Sequence, residues 1–202
     1  MKHYLFGYGS LISKQSRLAT GKTGIAIPVT IQGFQRAWNI ISPEMKISGV
    51  GVVPQNDSVC NGVLVEIDES EIPLFDKREL EGSNYNYERL AIPHNQLIHG
   101  DIPSSSSMWI YVVKKPLIPT LEFPIAQSYL DVILTGCLDY GEIFATEFIQ
   151  FTSGWEHPWI NDRNCPRYVR ALSEIQVSTI ETIDKLLISH VKYFHARKEE
   201  SC

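Results

Sequence analysis

One carboxylate falls on the apolar side of a predicted helix. A capping-box-like start at Asp68 predicts a helix that runs to about Leu80. With 3.6 residues per turn, Ile72, Phe75 and Glu79 share one stripe, and this stripe faces the core. Burial raises the pKa of a carboxyl group because it disfavours the charged form. A carboxylate at Glu79 is therefore a candidate for general acid–base catalysis.

The alternative role for Glu79 is structural. A carboxylate on an apolar stripe is also stabilised by an ion pair, and Arg78, Arg89 and Arg36 are the candidate partners. Both roles place the Glu79 side chain towards the interior, so the pattern leaves the choice between them open.

A glycine-containing turn directly follows the first strand-like segment. The apolar run that begins at Tyr4 ends in Tyr8, Gly9, Ser10 and Leu11. Glycine has no Cβ, so it lets another group approach the backbone closely. Such a turn presents backbone N–H groups to a ligand, and we expect it to form the floor of a binding pocket.

Two nucleotide-binding patterns are incomplete in this chain. The G-x-G of the first turn lacks the third glycine of a dinucleotide fingerprint, because Ile12 stands in that region. The segment Gly21-Lys22-Thr23 lacks the earlier glycine of a phosphate-binding loop, where Ser16 stands. We therefore expect neither segment to bind a nucleotide.

The remaining elements predict an α+β fold that builds a pocket over this turn. Strands are predicted at 28–41, 47–54, 59–67, 85–92 and 108–114, with 47–54 and 59–67 forming a hairpin. Helices are predicted at 125–137 and 142–151 and from a cap at Ser178, and the charged tail from Arg197 is expected to fray. Glycines at the bends of successive strands favour a small, curved sheet or barrel.

The segment 152–170 contains several aromatic residues among polar ones, and these aromatic side chains make a solvent-exposed linker an unfavourable interpretation. We expect it to lie across the core or over the mouth of the pocket, or to contact a second subunit in a homodimer. The chain is accordingly divided into a domain at 1–150 and a C-terminal extension at 151–202, an aromatic loop and a helix that pack on the same domain.

Composition narrows the class of protein. The 202 residues are 44% hydrophobic and 20% charged, which is ordinary for a globular protein. The net charge of −5 and the scattered basic residues argue against a nucleic-acid partner. The absence of a long apolar run argues against a membrane span, and the lack of a signal-peptide pattern favours a cytoplasmic location.

The cysteines do not predict a metal site. Cys60, Cys137, Cys165 and Cys202 are widely spaced and form no C-x-x-C pair, and the histidines form no H-E-x-x-H motif. In a reducing compartment we expect these cysteines to be free thiols.

The order of these motifs resembles the γ-glutamylcyclotransferase family, also called AIG2-like. The resemblance rests on Phe6-Gly7-Tyr8-Gly9-Ser10-Leu11, then 33–38, then 60–67, then Asp76-Lys77-Arg78-Glu79 and Tyr87-Glu88-Arg89. It covers about residues 3–140, and the Asp-x-x-Glu helix is most similar to the glutathione-specific branch.

The resemblance implies a fold, a reaction and a site. Members are small mixed β-barrels flanked by helices, and they release 5-oxoproline from a γ-glutamyl compound without a metal or organic cofactor. By resemblance, the 8–11 turn would hold the γ-glutamyl group and Glu79 would be the general acid/base. Tyr8, Tyr87 and Tyr129 are candidates to line the pocket, although each is also suited to the core. Arg36 and Arg89 are both candidates to bind the substrate carboxylate or, alternatively, to neutralise Glu79 or Asp76.

The sequence is compatible with two hypotheses about function. The first is an enzyme that cyclises glutathione or another γ-glutamyl amide. The second is a non-catalytic member of the same fold, in which the pocket binds a small metabolite or the 155–170 segment binds a partner protein.

Overall fold

The computed structural model describes residues 2–81, 86–171 and 175–200. Within these residues the chain forms ten strands and five α-helices. The strands are β1 (His3–Gly7), β2 (Ala26–Ser42), β3 (Ile47–Ile67), β4 (Tyr87–Ala91), β5 (Leu97–His99), β6 (Ser107–Val113), β7 (Ile125–Ala126), β8 (Thr152–Ser153), β9 (Trp159–Asn161) and β10 (Lys198–Glu199). The helices are α1 (Lys14–Leu18), α2 (Ile72–Asp76), α3 (Gln127–Leu138), α4 (Glu142–Gln150) and α5 (Val177–His190). The predicted α+β class is confirmed.

All ten strands join one mixed sheet. Its main path runs β10-β9-β7-β3-β1-β6-β4, and β2 branches from β3 to pair also with β5 and β8. Strand β1 lies inside the sheet, antiparallel to β3 and parallel to β6. Among the described residues the two ends of this path do not pair with each other, so a closed barrel stays a prediction.

The predicted hairpin between 47–54 and 59–67 is wrong. Both segments belong to the single strand β3, and both pair antiparallel with β2 instead of with each other. The polar segment 55–58 bulges out opposite Gly33, because Gln32 pairs with Val59 while Phe34 pairs with Pro54. Gly33 has φ +92, a left-handed conformation that favours glycine. The turn-rich composition of 55–58 therefore marks a bulge within a long ribbon.

The helical segment that contains Glu79 is built from three kinds of turn. A 3₁₀ turn at Glu69–Glu71 leads into α2, and a π-helical turn at Lys77–Glu81 follows. Asp68 occupies the N-cap position, but its side chain makes no capping hydrogen bond. The helical state predicted up to about Leu80 is confirmed, and its last turn is wider than an α-helix. Such π turns frequently occur at functional sites.

Two apolar clusters cover opposite faces of the sheet. Along β1, Tyr4 and Phe6 belong to one cluster and Leu5 to the other, as expected when successive side chains alternate across a strand. Helices α3, α4 and α5 pack over the Leu5 side, where Leu130, Phe148 and other apolar residues are buried. The first strand is thus fixed on both faces, and the turn that follows it has a rigid support.

The C-terminal extension packs against this core. Trp155, Trp159 and Tyr168 are buried in the same cluster as α3, and helix α5 buries Ile183 and Leu187 there. Helix α5 begins at Val177 with Gln176 as N-cap, so the predicted cap at Ser178 is displaced by two residues. The boundary at residue 150 stays a prediction.

The prediction that the charged tail frays is wrong. Lys198 and Glu199 form β10, which pairs parallel with β9. Arg197 donates a hydrogen bond to Gln127 Oε1 at 2.8 Å, and Glu200 forms a salt bridge with Arg167. Charged side chains with specific partners therefore dock the tail.

Three further properties concern the described residues only. Cys60 and Cys137 are buried free thiols, whereas Cys202 lies outside the part of the chain that the structure describes. No helix in that part is both long and apolar enough to cross a membrane. The same part contains no group of three or more histidine, cysteine or acidic side chains suited to hold a metal ion.

Candidate active site

The glycine turn connects β1 to a 3₁₀ turn at Ser10–Ile12. The Ile12 N–H donates to the Gly9 carbonyl oxygen at 2.9 Å, which closes the turn. Gly9 is required by close packing, because a Cβ there would lie 2.9 Å from Val50 Cγ2 and 3.2 Å from the Tyr129 hydroxyl oxygen. Ser10 and Leu11 occupy the first positions of the 3₁₀ turn, whose N–H groups have no acceptor within the turn.

This turn and Glu79 line the same cleft. The cleft has a volume of about 1000 Å³. Its lining includes all four residues of the 8–11 turn, with Glu79, Tyr87 and Tyr129. Seven of the eight residues predicted for the site therefore share one cavity, although they come from the turn after β1, from β4, from α3 and from the helical segment after β3.

The Glu79 carboxylate is mostly buried. Its side chain is 17% exposed. Burial raises the pKa of Glu79 above its usual value, and the positive charges of Arg78 and Arg170 act in the opposite direction without cancelling this effect. A carboxyl group with a raised pKa is a stronger base than an ordinary carboxylate, which suits it to accept a proton and release it again during a reaction.

Arg78 joins Glu79 to the glycine turn. Its Nε lies 3.0 Å from Glu79 Oε1, and its Nη2 donates to Ser10 Oγ at 3.1 Å. Its Nη1 donates to Thr20 Oγ1 and to the Ser16 carbonyl oxygen. The guanidinium thus contacts Glu79 through one nitrogen, while its two terminal nitrogens hold the turn and the end of α1. Of the ion-pair partners considered for Glu79, Arg78 is the one observed.

Three tyrosines form the apolar wall beside Glu79. The Tyr8 hydroxyl donates to the Tyr111 carbonyl oxygen at 2.8 Å, and the Tyr8 and Tyr87 hydroxyls share a hydrogen bond. The Tyr129 hydroxyl lies against Gly9 and is hydrogen-bonded by the backbone of Val50. Burial raises the pKa of Tyr8, Tyr87 and Tyr129, so all three are neutral hydrogen-bonding groups near neutral pH.

Arg36 does not line the cleft, which corrects its prediction as a substrate-binding residue. The residue is completely buried and its guanidinium lies 3.8 Å from the Phe148 ring centre. It donates to Asn61 Oδ1 at 2.8 Å, to Thr152 Oγ1 at 2.7 Å and to the Tyr8 carbonyl oxygen at 3.3 Å. These contacts occupy the guanidinium, so Arg36 supports the turn from behind.

Arg89 takes the second role considered for it. Its Nη1 lies 2.9 Å from Asp76 Oδ2, and Asp76 Oδ1 also accepts a hydrogen bond from the Tyr111 hydroxyl at 2.8 Å. Arg89 therefore neutralises Asp76.

The sequence analysis did not identify any cleft residue in the C-terminal extension. Tyr168 and Arg170 line the cleft, and both belong to the aromatic C-terminal segment. The composition of that segment favoured a position over the pocket mouth. Its apolar residues show neither the strand nor the helix period, so the sequence does not indicate which side chains point inward. Tyr168 packs edge-on against Tyr129, with ring centroids 4.9 Å apart.

Comparison with known proteins agrees with this architecture. A family model described as "Gamma-glutamyl cyclotransferase, AIG2-like" matches residues 5–129. The search of curated proteins found no match. A solved structure named "Gamma-glutamyl cyclotransferase" aligns with a TM-score of 0.55 and 11% identity, covering 92% of this chain and 99% of the other.

Two further solved structures share the fold. An uncharacterized protein from Homo sapiens aligns with a TM-score of 0.54 and 11% identity, covering 90% of this chain and 98% of the other. YkqA from Bacillus subtilis aligns with a TM-score of 0.50 and 18% identity, covering 71% of this chain and 51% of the other. These identities are low and indicate a common fold only. The family model, in contrast, matches more than half of the 202 residues, so the chain belongs to the γ-glutamyl cyclotransferase, AIG2-like family.

Proposed function

We propose that this protein cyclises a γ-glutamyl amide and releases 5-oxoproline and an amine, with Glu79 as the general base and acid. The proposal is supported by family membership and by one observation above all. A mostly buried carboxylate with a raised pKa lines the same cleft as the glycine turn. A reaction that moves one proton out and one proton back needs such a group.

The proposed reaction uses the substrate's own amine as nucleophile. The ionised Glu79 accepts a proton from the α-ammonium of the γ-glutamyl group, and the resulting amine attacks the γ-carbonyl carbon to form the five-membered ring. The protonated Glu79 then donates a proton to the departing nitrogen as the original amide C–N bond breaks. The ring nitrogen gives up its second proton to the departing amine, which leaves as an ammonium group. The Glu79 carboxylate is thereby restored, and no covalent enzyme intermediate is required.

The 8–11 turn would supply the second part of catalysis. During the attack the γ-carbonyl oxygen becomes negatively charged, and backbone N–H groups at the start of the 3₁₀ turn are suited to stabilise it. Arg78 contacts both Ser10 and Glu79, so it would hold the proton-transfer group and the anion-binding turn in a constant relative position. The tyrosine wall would exclude water from the folded substrate.

The substrate that we propose is glutathione or a related γ-glutamyl compound. The glutathione-specific branch, suggested by the motif around Asp76 and Glu79, stays a prediction. The part of the substrate that all family members share is the γ-glutamyl group, and the cleft volume of about 1000 Å³ leaves room for a leaving group beside it.

The test is Glu79→Gln with release of 5-oxoproline as the readout. The amide has nearly the shape of the acid but cannot act as a base, so we expect a loss of kcat of at least about 10²-fold in a protein that still folds and melts in one cooperative transition. The matched control is Glu88→Gln, because Glu88 is an exposed carboxylate on β4 outside the cleft lining.

A panel of γ-glutamyl amino acids, peptides and amines identifies the substrate. Wild-type activity in the Glu79→Gln protein would contradict the proposed role of Glu79. A wild-type protein that binds γ-glutamyl compounds and converts none of them would instead favour the non-catalytic alternative.

A further inference from the structure

Arg170 reaches the cleft from the C-terminal extension. It is half-buried and lines the cleft together with Glu79. The two side chains are close enough for the positive charge of Arg170 to lower the pKa of Glu79. Arg170 lies beyond residues 5–129, which the family model matches. It therefore lies outside the part of the chain that the family model describes.

Among the side chains that the structure describes, the guanidinium of Arg170 forms no salt bridge with a carboxylate. The salt bridges among residues 2–81, 86–171 and 175–200 involve Arg78, Arg89, Arg163, Arg167 and Arg197, together with a lysine and a histidine, and none involves Arg170. Arg36 is occupied by its buried hydrogen bonds. Arg170 thus differs from the other arginines around the site, which support the fold.

The backbone that carries Arg170 is nevertheless held firmly. Asp162 is fully buried, and its carboxylate accepts hydrogen bonds from the Ser128 N–H at 2.8 Å, the Ser128 hydroxyl at 2.6 Å and the Arg167 N–H at 2.9 Å. The Tyr168 N–H donates to Ser128 Oγ at 3.3 Å. These bonds attach the segment to the start of α3, so Arg170 is presented to the cleft from a rigid support.

The charge of the cleft favours an anion. Its lining contains four cationic side chains, Arg78, Lys114, Lys115 and Arg170, against the two carboxylates Glu44 and Glu79. The whole chain, in contrast, has a net charge of −5. A positive lining in a negative protein attracts a substrate with more negative than positive charge. A γ-glutamyl amine is a net-neutral zwitterion, whereas a γ-glutamyl amino acid or peptide carries one additional carboxylate.

We propose that Arg170 binds the carboxylate of the leaving group, so that this protein selects γ-glutamyl amino acids or peptides over γ-glutamyl amines. The inference rests on the proposed function. The γ-glutamyl half is common to the substrates of the family and would be bound by the 8–11 turn and Glu79, within residues 5–129. The leaving group varies, and an arginine that lines the cleft from outside residues 5–129 is suited to recognise it. A planar guanidinium can bind a carboxylate through two parallel hydrogen bonds.

Binding to the Glu79→Gln protein tests this inference without consuming the ligand. The ligands are γ-glutamylalanine and γ-glutamylethylamine, which differ only by the carboxylate of the leaving group. Kd values are measured by calorimetry for the Glu79→Gln protein and for two double variants that also carry Arg170→Gln or Arg170→Lys. Lys185→Gln is the control, because it removes the same charge from an exposed position of α5 outside the cleft lining.

We expect the Glu79→Gln protein to bind γ-glutamylalanine more tightly than γ-glutamylethylamine. Adding Arg170→Gln should raise the Kd for γ-glutamylalanine about tenfold. The Kd for γ-glutamylethylamine should change less than about twofold, since its leaving group offers no acceptor for a guanidinium. Arg170→Lys should retain part of the selectivity because it keeps the charge but not the planar fork. Lys185→Gln should leave both Kd values unchanged.

Other results would overturn the inference in distinguishable ways. Equal weakening of both ligands by Arg170→Gln would assign Arg170 to the shared γ-glutamyl half, and no weakening of either would remove it from recognition. In both cases the proposed function would stand. Failure of both ligands to bind, with no turnover by the wild-type protein, would refute the proposed function together with the role of Arg170.

Discussion

Replacing Arg78 with methionine tests whether this residue couples the glycine turn to Glu79. Methionine fills a similar length of the cavity but has no donors. The change removes the 3.0 Å contact from Nε to Glu79 Oε1, the 3.1 Å hydrogen bond to Ser10 Oγ and the contacts with Thr20 and the Ser16 carbonyl. It therefore leaves a mostly buried carboxylate without its nearest opposite charge.

The structure sets the expected loss of stability. The hydrogen bonds to Ser10 and Thr20 are partly buried, and each contributes about 1 kcal/mol. The Arg78 and Glu79 side chains are only 14% and 17% exposed. Breaking their pair costs about 2 kcal/mol after allowance for the remaining solvent. Because these contacts share one side chain and are not additive, we expect a total loss of about 3 kcal/mol in the free energy of unfolding.

The activity should respond through the pKa of Glu79. Arg78 opposes the effect of burial on this carboxyl group, so its removal raises the pKa of Glu79 further. The general base must be ionised to accept the α-ammonium proton, and the acid limb of kcat/KM for 5-oxoproline release should therefore move to higher pH. Denaturant unfolding and a pH–rate profile of the same preparation measure the two effects.

The matched control is Arg89→Met. Arg89 pairs with Asp76, both side chains are 29% exposed, and Arg89 does not line the main cleft. We expect a cost of about 1 kcal/mol or less in unfolding free energy and an acid limb that does not move. A folded Arg78→Met protein whose acid limb coincides with that of the wild type would refute the coupling argument.

Two further predictions concern the turn and the buried carboxylate. Gly9→Ala places a Cβ 2.9 Å from Val50 Cγ2. Thermal melting should therefore show a loss of about 1–3 kcal/mol in the free energy of unfolding, and the rate of 5-oxoproline release should also fall. Gly49→Ala, whose Cβ would meet the Tyr129 hydroxyl oxygen at an ordinary 3.7 Å, should leave stability within about 0.5 kcal/mol, and equal losses in both variants would contradict the packing argument. The folded protein holds the Glu79 proton to higher pH than the unfolded chain, so the wild type should lose stability relative to Glu79→Gln as pH rises from the ordinary value of 4.5 through the folded pKa. Parallel stability–pH curves for the two proteins would show that burial does not raise this pKa.

Local patterns were sufficient for much of the fold. The helices predicted over 125–137 and 142–151 are α3 and α4, and the bounds agree within two residues at each end. Helix α4 buries one side, as an amphipathic helix does, whereas almost every residue of α3 is buried. The pattern could not predict which strand pairs with which. The segments 47–54 and 59–67 have the composition of a hairpin, but β2 is long enough to pair with both, so they remain one strand.

Some features of the candidate site also follow from the sequence, whereas others depend on the tertiary structure. The sequence by itself determined that Glu79 lies on an inward stripe and that a glycine-containing turn follows the first strand, since both follow from spacing and residue type. Only the tertiary structure decided that the two line one cleft, because they are separated by the whole of β2 and β3. It also decided the roles of the arginines. Arg36 is directed behind the turn and Arg170 into the cleft, and a side chain's direction depends on how distant segments pack, which the local sequence does not encode.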